Sequence, residues 1–303
     1  MCIKCGTGNI NTNETFSGYS CDNIKCGSNY PVINDVPVIL DGRCENSFSE
    51  EDILNDKSYL IDRKRHSSFY KWLTSLVPTN TANVSTKRIM NDFLERLPIN
   101  SKILNIGVLD GGSHLERLYA KHIVFEVDIQ PKDGLLCICD LHNLPFFDQT
   151  FDAVIVQNVL EHVLSPQKCV DNIYRVLKID GYVYSEIPFL QHVHAGKHDY
   201  MRFTKRGHIY LYKNFEIIDS GWVSGPATVL SWAVESFVLS FNFFSNFKKI
   251  SMTIIRFTFF WLKYIDFYWA NKDRLSSGAS ATFCFCKKSD RPISSLEFMN
   301  INP

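Results

Sequence analysis

The chain has 303 residues, 45% hydrophobic and 21% charged, enough for one large or two modest domains of ordinary globular composition. Its 32 Lys+Arg balance 32 Asp+Glu, so charge gives no case for a nucleic-acid partner. The polar, Gly-containing start at 2–13 does not read as a signal peptide, which favours a cytoplasmic protein, and paired Cys there point to metal rather than disulfides.

Taken in chain order, the first block is Cys2-x2-Cys5 followed by Cys21-x4-Cys26, with Gly6 and Gly27 directly after the second Cys of each pair. Two such knuckles can set four thiolates tetrahedrally around a structural Zn2+, and four protein ligands leave no open position for catalysis. A zinc-ribbon-like segment is therefore expected over 1–45, with Cys44 as a substitute ligand because the x4 spacing is loose. Tyr30 to Leu40 alternates around two prolines and predicts a short strand pair. Residues 46–100 read as a linker and N-terminal helices, an amphipathic stretch at Phe69 to Val77 and a helical period at Arg88 to Leu97. The boundary falls between Asp41 and Tyr59.

A main domain is expected over 101–290, with a tail at 291–303. Lys102 to Ile106 predicts a strand ending at Gly107, then Gly111-Gly112 and a helix from Ser113 to Ala120. That order brings backbone N–H groups to a ligand. His122 to Ile129 predicts the next strand, with Asp128 placed to accept hydrogen bonds from ribose hydroxyls. Gly134 to Cys139 predicts a third strand, leading to Asp140 as a candidate for an adenine amino group with Leu141 on the ring. Thr150 to Val159 is a continuous apolar run, as buried parallel strands show. Pro166 opens a helix over Gln167 to Leu177, Gly181 stops it, and a strand closes on Pro188. Leu109 breaks the G-x-G-x-x-G that a nicotinamide oxidoreductase needs.

The ordered blocks Asn105/Gly107/Leu109/Gly111, Asp140/Leu144/Pro145/Phe146, Phe151/Asp152/Val154, Leu160/Glu161/His162/Val163 and Arg175 to Gly181 resemble the class I S-adenosylmethionine-dependent methyltransferases, the type 11 group in particular. The resemblance covers about 101–220. It implies an α/β, Rossmann-like seven-stranded sheet whose last strand is antiparallel, with strands six and seven at Phe215 to Ile218 and Ala281 to Cys286. It implies S-adenosyl-L-methionine as cofactor, bound by Asn105, Gly107, Asp110, Gly111, Asp128, Ile129, Asp140, Leu141, Asn158 and His162. Two positions depart from the family: Asn105 replaces an acid, with Asp110 nearby as a substitute, and Leu109 replaces a glycine. An inactive methyltransferase-like scaffold is the alternative those departures raise.

Pro188 to Thr204 carries His192, His194, His198, Asp199, Tyr200 and Arg202. It reads as a loop over the carboxyl edge of the sheet, where ligands bind. It is similar to a P-F-x-x-x-x-H…D-Y-x-R-F-T signature of methyltransferases from polysaccharide and cell-envelope contexts, many with an N-terminal zinc ribbon. That likeness implies a sugar or glycan acceptor, His194 as general base, Asp199 orienting it, and His192, Tyr200 and Arg202 on the substrate. Some quinone O-methyltransferases of this fold place a divalent metal on E-x-x-E-H. Here Asn158 occupies the first acid, which argues against metal and leaves Glu161-His162 at the cofactor end.

Residues 228–270 are rich in Phe, Trp and Ile but interrupted by charges at Glu235, Lys248, Lys249, Arg256, Lys263 and Asp266, so no membrane span is expected. A helical insertion over 227–272 is predicted: two helices covering the pocket or forming a homodimer face. The sharper reading is an interfacial hairpin in peripheral membrane contact, suited to a lipid-linked glycan.

Overall fold

The structure, a computed structural model, describes residues 1–13, 18–42, 51, 53, 79, 81–107, 118–194, 196–241, 245–268, 277–290 and 298. Leu109, Asp110, Gly111, Cys44 and the stretch 69–77 lie outside them.

The chain opens with a small antiparallel sheet, β1 (Ile10–Asn13), β2 (Gly18–Cys21) and β3 (Asn29–Tyr30). A hairpin follows, β4 (Val32–Ile33) and β5 (Val36–Ile39). Its two turn residues, Asn34 and Asp35, have φ of +48° and +63°. Two left-handed residues make the tight hairpin turn that Asn and Asp tolerate. After helix α1 (Thr86–Glu95) come β6 (Lys102–Ile106), β7 (Ile123–Asp128), β8 (Cys137–Cys139) and β9 (Phe151–Gln157). Helix α2 (Pro166–Val176) leads into β10 (Leu177–Pro188), then α3 (Lys205–Leu211), β11 (Phe215–Ser224) and, near the end, β12 (Ala281–Lys288).

The central sheet runs β4-β5-β8-β7-β6-β9-β10-β12-β11. Strands from β5 to β10 pair in parallel, and β12 is antiparallel to both neighbours. The seven expected strands are all present, but the sheet has nine among the described residues. The extra pair comes from the N-terminal segment: β5 joins β8, with Val38 opposite Ile138 and Ile39 opposite Cys139. All four residues of β5 are buried, and Val36, Val38, Leu40, Leu135 and Ile138 form one apolar cluster. Residues 32–39 therefore extend the main sheet, while β1 to β3 form their own.

Gly181 does not stop a helix. The helix ends at Val176, and Gly181 lies inside β10 at a register shift between Leu177 and Tyr182. A Cβ at Gly181 would fall 2.9 Å from the carbonyl oxygen of Asp152, so glycine there permits close approach of β9.

The insertion between β11 and β12 holds three described helices rather than two: α4 (Pro226–Ser240), α5 (Ser245–Phe259) and α6 (Leu262–Tyr268). Fully buried Asp266 on α6 accepts hydrogen bonds from the N–H groups of Ala227 and Thr228, at 3.0 and 2.9 Å. A carboxylate at those orphan donors satisfies the start of α4 and complements its dipole. Phe237, Phe241, Ile254, Phe257, Trp261 and Tyr264 are exposed along this insertion. No helix is long and apolar enough to cross a membrane among the described residues.

His208 on α3 is fully enclosed between Ser185 Oγ and Thr282 Oγ1, each 3.0 Å away. Burial pushes its pKa down to about 3 from 6.5. The unfolded chain then binds a proton that the folded chain refuses, so stability falls as pH drops below 6.5. At pH 5 this group is expected to cost about 2 kcal/mol. Urea midpoints at pH 7 and pH 5 should separate less in His208→Gln than in the wild type. An equal separation would remove His208 from the acid response.

Candidate active site

The chain leaves β6 for β7 and β8 on one side and returns to β9 on the other. The carboxyl ends of β6 and β9 therefore border the topological switch point, where doubly wound sheets bind ligands. Gly107, directly after β6, has a φ of +73°, and a Cβ on it would lie 2.2 Å from Val159 Cγ2. Glycine is needed there because the turn after β9 packs against it. Asn158 opens that turn with a φ of +53° and donates its N–H to the carbonyl of Glu186 at 2.9 Å.

Asp128 sits at the end of β7. Its carboxylate accepts the N–H of Gln130 at 3.0 Å and pairs with Lys132 at 3.2 Å. Asp140 is buried and accepts from His142 N at 2.8 Å and His142 Nδ1 at 2.5 Å. Ser165 donates its N–H to His142 Nε2 at 3.0 Å, so the ring proton is on Nδ1, facing Asp140. Leu141 is buried in the main core, and Ile129 packs on the Val36–Ile138 cluster. The blocks at 144–146 and 175–181 meet physically. Arg175 donates to the carbonyls of Leu144 and Phe146, at 2.8 and 2.6 Å, which fixes the loop after β8.

Asn105 replaces a carboxylate, yet its side chain donates to Glu126 Oε1 at 3.4 Å, from the paired position on β7. Tyr119 also donates to that oxygen. A carboxylate is thus present one strand over. Sequence reading missed Glu126 because only strand register brings 105 and 126 together.

On the acceptor side, the loop after β10 folds back onto the one-turn helix Leu160–His162. Tyr200 and Met201 donate their N–H groups to the Glu161 carbonyl, at 2.9 and 3.3 Å. His162 Nδ1 donates to the His198 carbonyl at 2.7 Å, and His194 Nδ1 to the His192 carbonyl at 3.3 Å. The Nε2 atoms of His162 and His194 then face each other at 3.2 Å. Glu161 Oε1 lies 3.5 and 3.6 Å from them. The Glu161 carboxylate holds the His194 imidazole above its ordinary pKa, outweighing burial.

Asp199 and Arg202 shape this loop. Burial alone would raise Asp199, but the Arg202 guanidinium and the His194 N–H bring its carboxyl down to about 2. Arg202 directs its five N–H donors to Asp199 and to the carbonyls of Gln191, His192 and Met201. Those contacts make it a clamp on the loop. Tyr200 is half-exposed, with its hydroxyl 3.1 Å from His198 Nδ1. His192 packs near Trp232 of α4, ring centroids 6.0 Å apart.

Residues 106–185, which include the turn after β9, match the family described as "Methyltransferase domain". That match identifies the span as a methyltransferase domain. No curated protein matches the chain. Among solved structures, the chain is similar to phosphoethanolamine N-methyltransferase 2 of Haemonchus contortus, solved with S-adenosyl-L-methionine: 15% identity, 77% of this chain and 59% of that one, TM-score 0.47. It is also similar to the Burkholderia thailandensis 1,6-didemethyltoxoflavin-N1-methyltransferase, solved with 1,6-didemethyltoxoflavin and S-adenosylhomocysteine: 14% identity, 69% of this chain and 80% of that one, TM-score 0.42.

Beyond the switch point, the chain gathers Cys2, Cys5, Cys21 and Cys26 so that all four sulfurs lie within 4.8 Å of one another. The Cys2–Cys26 and Cys5–Cys21 separations are both 3.7 Å. Sulfurs about 2.3 Å from a tetrahedral ion would stand about 3.8 Å apart. Gly6 and Gly27 take φ of +73° and +56° at the two knuckles, and Gly8 donates its N–H to Cys5 Sγ at 3.4 Å.

Proposed function

We propose that this methyltransferase O-methylates a hydroxyl of a sugar or glycan, with the donor at the switch point and the acceptor under the loop at 189–204. One observation carries the reading: the loop after β10 lays His194 on His162 of the β9 turn, at 3.2 Å. Donor-side and acceptor-side residues thereby meet at the carboxyl edge of the sheet.

Bound S-adenosylmethionine supplies a sulfonium methyl: the acceptor C–O bond forms as the C–S bond breaks, and the electron pair stays on sulfur. The residues supply position and a proton acceptor. Asp128, at the β7 end, is suited to ribose hydroxyls, and Asp140 with Leu141 to the adenine edge. Asp199 takes the His194 N–H at 2.9 Å and fixes that residue's backbone. His194 Nδ1 is occupied by the His192 carbonyl, so Nε2 is the nitrogen that receives the hydroxyl proton. His192 and Tyr200 are placed to meet a sugar's other hydroxyls.

Cys2, Cys5, Cys21 and Cys26 are the ligands of a structural Zn2+ in this reading. The exposed aromatic face of α4 to α6 suits peripheral contact with a bilayer carrying a lipid-linked acceptor.

A panel of oligosaccharides incubated with methyl-labelled donor tests the proposal. Transfer is expected to sugar hydroxyls, and label only on amines or phenols would reject the substrate class. In His194→Ala, turnover should fall by roughly 10²–10⁴-fold, the usual share of a general base, with donor affinity unchanged. Full turnover would take His194 out of the chemistry.

A further inference from the structure

The Glu161 side chain is fully buried, and neither carboxylate oxygen has a hydrogen-bond partner among the described residues. Such a group carries a heavy desolvation penalty unless something positive sits against it. His162 Nε2 and His194 Nε2 stand 3.5 and 3.6 Å from Oε1, beyond hydrogen-bond range.

Both rings are oriented from behind. A carbonyl only accepts, so His198 O and His192 O require Nδ1–H on His162 and His194. With Nδ1 protonated, each neutral ring presents its Nε2 lone pair, and the two Nε2 atoms stand 3.2 Å apart. Two lone pairs and a buried carboxylate converge on one point. Metal-bound histidines are held the same way, with the other ring N–H given to a carbonyl.

The spacing fits a cation. Ligand atoms about 2.1 Å from an ion are about 3.0 Å apart in cis-octahedral and about 3.4 Å apart in tetrahedral geometry. The three separations here are 3.2, 3.5 and 3.6 Å. The group is also open to solvent on one side, because the His194 side chain is 35% exposed.

We propose that Glu161, His162 and His194 form a second metal site, a two-histidine, one-carboxylate set that takes a divalent transition ion and leaves positions for an acceptor oxygen. Imidazole nitrogens favour ions such as Zn2+, Co2+ or Fe2+ over Mg2+ and Ca2+. Asn158 does not preclude it, because the third ligand comes from the loop after β10 rather than from the β9 turn. The inference rests on the reading of this cluster as the place where the acceptor loses its proton, and it changes the part His194 plays. His194 becomes a ligand, and the cation lowers the pKa of the coordinated hydroxyl, whose proton passes to solvent.

The full chain, stripped of metal and titrated with Co2+, separates the two sites. Four thiolates give an intense ultraviolet charge-transfer band, whereas a histidine–carboxylate site gives only weak visible bands. The wild type is expected to take one Co2+ with the thiolate band and a second without it. His194→Ala, on an exposed loop, should weaken the second equivalent at least 10-fold while keeping the first. Glu161→Gln should do the same, and its circular dichroism reports whether that buried change is tolerated. No second equivalent in the wild type, or one that persists in His194→Ala, would overturn the proposal. Donor binding on the same samples keeps the outcomes distinct: loss of the second ion with intact donor binding leaves the methyltransferase reading standing.

Discussion

A Gly107→Ala variant is expected to lose about 2–4 kcal/mol of stability and most of its donor affinity. The φ of +73° is strained for any residue with a side chain. The added Cβ would also lie 2.2 Å from Val159 Cγ2, so one of the two segments must move. Those segments are the end of β6 and the turn after β9, the two walls of the switch point. Val159 is three residues before His162, so the displacement also reaches the Glu161–His162 turn. Urea denaturation and donor titration together measure the effect. A midpoint unchanged from wild type would mean that the close approach of Gly107 and Val159 is misplaced.

Chelation of the four-thiol site should produce the other large effect. Here β5 is hydrogen-bonded to β8 and buries all four of its residues. Cys2, Cys21 and Tyr30 belong to the same buried cluster as Leu144 and Phe151 of the main domain. Removing the ion from the full chain therefore uncovers the edge of the central sheet beside Asp140. A loss of roughly 3–5 kcal/mol would lower Tm by about 5–8 °C in a chain of this size. Cys21→Ser should reproduce it without chelator. A Tm that neither treatment moves would show that the four thiols hold no structural ion.

Much of this architecture was legible because its signals are local. Alternation at 30–40 marked a hairpin, the apolar run at 150–159 marked the central strand, and Pro166 marked a helix start. The blocks that resemble the methyltransferase family implied a Rossmann-like sheet whose last strand is antiparallel. What escaped was set by register and long-range packing. Nothing in residues 36–39 says that they join the strand at 137–139, which needs a partner with matching buried faces. Gly181 looked like a helix stop because glycine serves both as a stop and as a close-approach residue. At the site, the Cys spacing announced convergence of the four sulfurs. The meeting of Glu161 with His194 did not show, because 32 intervening residues form a helix, a strand and a loop before the two return to one point. Glu126 beside Asn105 is the same kind of case.

Calorimetric titration of the metal-replete chain with S-adenosylmethionine tests the central claim most directly. One site per chain is expected, and Asp128→Ala should weaken it roughly 10–100-fold through loss of charge-assisted hydrogen bonds to ribose. No heat at high protein concentration would contradict the donor pocket. Affinity unchanged in Asp128→Ala would contradict its placement at the end of β7.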